Sequence, residues 1–207
     1  MILKIIFCLI FGYLMGCFST AYFVGKINKV DIREYGSGNM GTTNALRTLG
    51  AKAGAITLIG DVIKAVLAIL LVKFIFFPGN ENLDLLSIYT GLGVVFGHNY
   101  PFWLKFKGGK GMAATGGVMA SLDPLIIPIG LPLFVLAILI TKYVSVGSLV
   151  VAVLFPIWIA IRHPGDIHML IIALLFMALA FVKHRGNIKR LMNGTENKIG
   201  QRVKLEK

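Results

Sequence analysis

The sequence predicts an all-α integral membrane protein of seven transmembrane helices, with the N-terminus outside and the C-terminus cytoplasmic. Three observations predict it. First, 57% of the 207 residues are hydrophobic and only 14% charged, with a mean hydropathy of +0.81, whereas soluble domains carry ~25% charged residues. Second, apolar runs recur along the whole chain and leave no stretch for a soluble domain, so residues 1–207 read as a single polytopic membrane domain. Third, the 21 Lys and Arg outnumber the 9 Asp and Glu, and all but Lys4, Lys64, Lys73 and Arg162 fall in four places.

Residues 5–25, 85–103, 125–141 and 143–161 are charge-free, and 167–182 is a shorter run. The stretch 53–77 is apolar apart from Asp61, Lys64 and Lys73. A hydrocarbon layer of ~30 Å needs ~17–25 helical residues, so each can cross. The first run ends near Leu14-Met15-Gly16-Cys17, which resembles a lipoprotein cleavage box. Its n-region holds one cation, Lys4, and further spans follow, so it reads as the first membrane helix. Cys8 and Cys17 share that run, which excludes a disulfide framework or a zinc site.

The four cationic places are 26–52, 104–111, Lys142 and 183–207, and the remaining connections carry Glu81, Asp84, Asp123, Arg162 and Asp166. Positive charge marks the cytoplasmic side. Segment 104–111 and the tail share a side only across an even number of crossings, yet three clear runs lie between them. Met112–Leu122 supplies the fourth, although its eleven residues reach only ~17 Å. It is expected to be short or buried and to turn at Asp123-Pro124. Six helices with a re-entrant segment is the alternative.

The first basic loop carries Gly36, Ser37, Gly38, Asn39, Gly41, Thr42, Thr43, Asn44 and Arg47. Its glycines permit positive φ, so that successive N–H groups can converge on an anion. The hydroxyls and amides add donors, and Arg47 adds a bidentate phosphate fork. The second, Lys105-Phe106-Lys107-Gly108-Gly109-Lys110-Gly111, is superficially like a nucleotide P-loop. Gly111 stands where Ser or Thr is needed, so the Walker spacing fails. A positive-inside anchor would explain its lysines but not three glycines among them. In the third, His184, Asn187 and Leu191 share one face if helical, while Lys189 and Arg190 would face lipid headgroups.

Intramembrane Asp61 and Lys64, three apart, read either as functional ions or as a mutually neutralising pair. Lys73 snorkels to the outer interface. His98 reads as a helix-end hydrogen-bonder, and His163 and His168 lie across the bilayer from the basic loops. Three glycine-basic segments at one mouth, against a hydrophobic wall, suit a substrate with a phosphate head and an acyl tail. The charge flanks membrane spans, which points to membrane lipids and anionic substrates and not to nucleic acid.

These motifs resemble the bacterial acyl-phosphate:glycerol-3-phosphate acyltransferase family, the PlsY type. GSGNMGTTNALR from Gly36 to Arg47 is similar to its GSGNPGATN followed by arginine. HNYPFWLKFKGGKGMAAT from His98 to Thr115 is similar to HxYPxxLxFKGGKGVAT, and HRGNIKRLMNGTE from His184 to Glu196 to HRxNIxRLxxGTE. Met40 replaces a proline, Thr42 an alanine and Met112 a valine. Ala114 stands where threonine is common, so a substrate contact from that threonine is not carried over.

The resemblance implies a bacterial inner-membrane enzyme with its site facing the cytoplasm. The glycerol 3-phosphate hydroxyl attacks a fatty acyl phosphate, giving 1-acyl-glycerol 3-phosphate and phosphate. No metal or cofactor is implied, and the chain lacks the His-x4-Asp pairing of thioester-using acyltransferases. An activated donor leaves the protein to align two phosphates and stabilise an oxyanion. On motif position and donor chemistry, Arg47, Lys107 and Lys110 hold phosphates, aided by Gly36, Gly38, Gly41, Thr42, Thr43, Asn44, Gly108, Gly109 and Gly111. Ser37 and Asn39 orient the hydroxyl or carbonyl, and His184 and Asn187 complete the glycerol 3-phosphate pocket. The base is left open between His184 and a substrate phosphate oxygen. A transporter of phosphorylated metabolites is the alternative; a lipid-binding scaffold would not need Ser37, Asn39 or Asn187, and phosphotransfer usually wants a metal and clustered acids.

Overall fold

In lipid, each span must close its own backbone hydrogen bonds, and the chain does so with helices. The computed structural model describes residues 1–201, among which every regular element is helical. Arg202, Lys204, Glu206 and Lys207 of the basic tail lie outside the described residues.

The run 5–25 is not one helix. It divides into α1 (Ile2–Cys17) and α2 (Thr20–Ile27). Phe18 is extended, and Ser19 caps α2 by accepting the Tyr22 N–H at 3.4 Å. The first polar segment contains α3 (Thr42–Leu49), followed by α4 (Ala51–Leu71), whose end widens into a π turn at Val72–Phe76. Then come α5 (Leu83–Asn99), α6 (Met112–Leu122), α7 (Ile127–Thr141), α8 (Val144–Arg162) and α9 (Ile167–Met192). The third motif therefore begins as a continuation of the last membrane helix.

Among the described residues, five helical stretches are long and apolar enough to cross a membrane: Ile2–Ile27, Ala51–Phe76, Pro124–Thr141, Val144–Arg162 and Ile167–Met192. The shorter α5 and α6 contribute Ile88, Val94, Ala114 and Val118 to the main core, alongside Ala65 of α4, Phe155 of α8 and Phe176 of α9. Lipid tails are as apolar as leucine, so close packing and hydrogen bonds must hold such a core. The α1–α5 contact shows this directly. A Cβ on Gly12 would sit 2.1 Å from the Thr90 carbonyl oxygen, and one on Gly97 would sit 2.1 Å from that of Tyr13. Only glycine lets these two backbones touch.

Asp61 and Lys64 pair at 3.1 Å within α4, both buried. Lys64 Nζ also donates to the Gly16 and Phe18 carbonyls at 3.1 and 2.7 Å and to His98 Nδ1 at 2.9 Å. The ammonium thus caps α1 where it breaks, satisfying carbonyls a helix C-terminus leaves open. Thr20 Oγ1 donates to Asp61 from the other side of the break at 3.3 Å. The pair is mutually neutralising, and it also pins α1, α2, α4 and α5 together. His98 is a helix-end hydrogen-bonder here.

The cationic segments gather at one end. Arg47 Nη2 donates to the Asn197 carbonyl at 3.1 Å, Lys110 to Asn187, and Ile199 N–H to the Lys142 carbonyl at 2.8 Å. Elsewhere Asp123 binds Arg162 at 2.7 Å and Trp158 at 3.2 Å, while Lys73 reaches the Ser121 carbonyl and Asp84 at 3.0 and 3.7 Å. Helix α6 joins these two regions. It starts at a buried turn, with Gly109 and Gly111 both buried.

Candidate active site

Asn44 organises the first motif. Its side chain is fully buried, with Nδ2 donating to the Ile32 and Tyr35 carbonyls at 2.8 and 3.2 Å. Its Oδ1 accepts the Ser37 N–H at 2.9 Å and the Ser37 hydroxyl at 3.2 Å. Gly36 and Gly38 take φ of 62° and 65°, which a side chain would strain. Several amides expected to cradle an anion are turned inward instead. Gly38 N–H bonds the Tyr35 carbonyl at 3.0 Å and Gly41 N–H that of Asn39 at 3.1 Å. Asn44 therefore shapes the turn, because its amide has no donor left over. Thr42 Oγ1 is buried with no hydrogen-bond partner among the described residues, and Asn39 and Thr43 of the same motif are half-buried.

The second motif folds back on the end of α5. Gly108 and Gly109 N–H groups donate to the Asn99 and His98 carbonyls at 3.2 and 3.1 Å. A Cβ on Gly109 would sit 2.1 Å from His98 Nε2, and one on Gly108 2.1 Å from the His98 carbonyl oxygen. These glycines are needed for close approach, and their N–H groups are not free for a phosphate. Gly111, at φ 78°, starts α6 without a side-chain cap, leaving the first-turn N–H groups of α6 open beside Lys110. Lys107 is exposed and has no side-chain partner among the described residues, so nothing ties it to the cluster.

The third motif supplies the other wall. His184 and Asn187 fall on one buried face of α9, at 2% and 8% exposure. His184 Nδ1 lies 2.7 Å from the Ala180 carbonyl, which can only accept, so Nδ1 carries the proton and neutral Nε2 is the acceptor. Asn187 Oδ1 accepts from Lys110 Nζ, and its Nδ2 donates to Glu196 Oε1 at 2.6 Å. Glu196 also accepts from Arg190 Nε at 2.7 Å and Ser145 Oγ at 3.0 Å. Arg190 is thus turned to Glu196 and not to lipid headgroups. Sequence reasoning passed over Glu196 as an organiser. The available signal was a single acid within the otherwise basic motif His184–Glu196.

Burial pushes the Lys110 ammonium down to about 8, with Arg190, Arg47 and Lys183 adding repulsion and Glu196 opposing. Burial alone would raise the Glu196 carboxyl, but hydrogen bonds from Asn187, Arg190 and Ser145 hold it below its ordinary value. Of these cations only Arg190 touches the Glu196 carboxylate; Arg47 and Lys110 feel its charge without contact, which leaves an excess of positive charge suited to a bound anion. Among the described residues no three His, Cys, Asp or Glu side chains gather as metal ligands.

Fold and site together define a helical integral membrane protein with an excess of positive charge gathered at one end of its bundle. A family model for glycerol-3-phosphate acyltransferase matches residues 6–194, and the chain belongs to that family. It is 43% identical to the glycerol-3-phosphate acyltransferase of Thermoanaerobacter pseudethanolicus, over 95% of this chain and 96% of the relative. It is 45% identical to that of Clostridioides difficile, over 92% and 93%. Its fold is similar to crystal structures of PlsY (YgiH), an integral membrane glycerol 3-phosphate acyltransferase. The glycerol 3-phosphate form gives a TM-score of 0.84 and the lysophosphatidic acid form 0.81, both at 31% identity over 95% of this chain and 96% of that one.

Proposed function

We propose that this chain moves a fatty acyl group from acyl phosphate to the sn-1 hydroxyl of glycerol 3-phosphate, giving 1-acyl-sn-glycerol 3-phosphate and inorganic phosphate. The observation that carries this reading is the junction of all three motifs through Lys110, Asn187, Glu196 and Arg47 at one end of an apolar bundle. A transporter for phosphorylated metabolites finds no support in the relatives, and Asp61–Lys64 is occupied in holding helices together.

Arg47, Lys110 and the open first turn of α6 neutralise the two phosphates. Ser37 and Asn39, at the lip of the first turn, orient hydroxyl and carbonyl; Thr42 and Thr43 add donors. Lys107 reaches the phosphate only once substrate is bound. The hydroxyl oxygen forms the new ester bond as the carbonyl carbon–phosphate oxygen bond breaks, and phosphate leaves. Its proton goes to His184 Nε2 or to a phosphate oxygen. Retention of near-normal turnover by His184→Asn would remove the histidine from that role.

The same reading has seven crossings. α6 counts as one because Lys110 and Asp123, at its two flanks, bind partners at the two ends of the bundle. It also has the N-terminus outside, the site facing the cytoplasm and the protein in the bacterial inner membrane, as the gathered cations favour. The test uses detergent-purified protein, palmitoyl phosphate and radiolabelled glycerol 3-phosphate in EDTA, with acyl-CoA as parallel donor. Labelled lysophosphatidate from acyl phosphate alone is expected. No product from either donor in folded protein would overturn the reading.

A further inference from the structure

Between α2 and the first motif lies a pocket of about 270 Å³ that the acyl-transfer chemistry does not use. Tyr22, Lys26, Lys29, Arg33 and Asp31 line it, and Ile32 and Met40 form its floor. Asp31 is neutralised in place, bonded by Arg33 Nε at 2.9 and 3.0 Å and by Nη2 at 2.6 Å. Lys26 and Lys29 have no ion-pair or side-chain hydrogen-bond partner among the described residues, so two positive charges are uncompensated there. Lys29 is moreover held at φ 57°, a left-handed backbone that L-residues other than glycine adopt at a cost.

The surroundings have the character of a membrane–water interface. Tyr22 packs edge-on against Trp103 at 5.0 Å, and Phe18 stacks on Phe23 at 4.9 Å. Ile27, between the two lysines, is 82% exposed. Aromatic rings and apolar side chains beside paired lysines are what a membrane–water interface selects. The floor connects to the site: the Ile32 carbonyl holds the Asn44 amide at 2.8 Å, and Met40 sits inside the first motif turn.

We propose that this pocket binds the phosphate headgroup of an anionic membrane lipid and thereby holds the Gly36–Gly41 turn in its working shape. Free inorganic phosphate shares the headgroup chemistry, but the adjoining apolar rim matches only the lipid.

The test compares full-length wild type, K26Q/K29Q and a charge-matched K52Q/K142Q control by native mass spectrometry with phosphatidylglycerol or phosphatidylcholine. Phosphatidylglycerol should be retained preferentially by wild type and control. It should bind K26Q/K29Q about thirtyfold more weakly, the effect of two lysines near an anionic headgroup. Equal loss in the control, or none in K26Q/K29Q, overturns the site. Displacement by inorganic phosphate, with no preference between the lipids, makes it a free-phosphate site and overturns the lipid assignment. The binding arm is independent of the acyl-transfer reading. In nanodiscs, phosphatidylglycerol should raise wild-type turnover over phosphatidylcholine and leave K26Q/K29Q unchanged. The same rise in both proteins overturns the coupling to the turn.

Discussion

The ammonium of Lys110, in the second motif, donates to the side-chain oxygen of Asn187, in the third, across 77 positions of sequence. Asn187 in turn gives its amide hydrogen to Glu196, so one planar side chain relays between a cation and a carboxylate. The lysine is held in a fixed place without being neutralised by an acid in direct contact. That leaves its charge available to a phosphate.

Replacing Asn187 by alanine should therefore lower kcat/KM by roughly ten- to a hundredfold, the loss expected for one hydrogen bond to a charged group. Asn187→Asp should act differently. A carboxylate at that position pairs with Lys110 directly and competes with substrate phosphate, so KM for glycerol 3-phosphate should rise more than kcat falls. Steady-state kinetics on both variants check this.

The Lys110 ammonium titrates at about 8 in the free protein. Its protonated form attracts phosphate, so kcat/KM for glycerol 3-phosphate should fall as pH rises through about 8. That ratio reports the free enzyme. Lys110→Arg keeps its charge throughout this range, and its profile should lose that alkaline limb even if its absolute rate is lower.

Glu196 has a lowered carboxyl pKa in the folded protein. Its contribution to stability is present above the ordinary carboxylate value of about 4.3 and disappears as pH falls through the lower folded value. Glu196→Gln should remove that acid-dependent part of the melting curve. Glu196→Ala should also leave the buried Asn187 amide without its acceptor, costing about 1–3 kcal/mol, while the exposed Arg190 guanidinium turns to water. Thermal unfolding in detergent at several pH values distinguishes the two.

Lys64 has four acceptors within 3.1 Å, including Asp61 and the carbonyls where α1 breaks. Lys64→Met should destabilise the protein by about 3–5 kcal/mol, because Asp61 is left as an uncompensated buried charge. Asp61→Asn on that background should recover part of the loss. Additive effects in the double-mutant cycle would count against the pairing.

The spans were legible because a helix in lipid leaves an unmistakable trace, ~20 apolar residues in a row. The break at Phe18–Ser19 was not, since it depends on Lys64 reaching across from another helix to cap α1. The close approaches at Gly12 and Gly97 were not legible either, since which backbone each glycine touches is set by the partner helix. The motif residues were readable as donors and cations, and their roles as geometry were hidden. Asn44 holds the first turn from inside, Gly108 and Gly109 lie against His98, and Glu196 orders Asn187 and Arg190. Composition, crossing runs and donor types are properties of residues along the chain, so the sequence by itself determined the membrane class and the chemistry at hand. Which donors stay free for a substrate depends on which are already taken by distant partners. Only the tertiary structure decided that, because a hydrogen bond acts over ~3 Å and takes no account of separation in sequence.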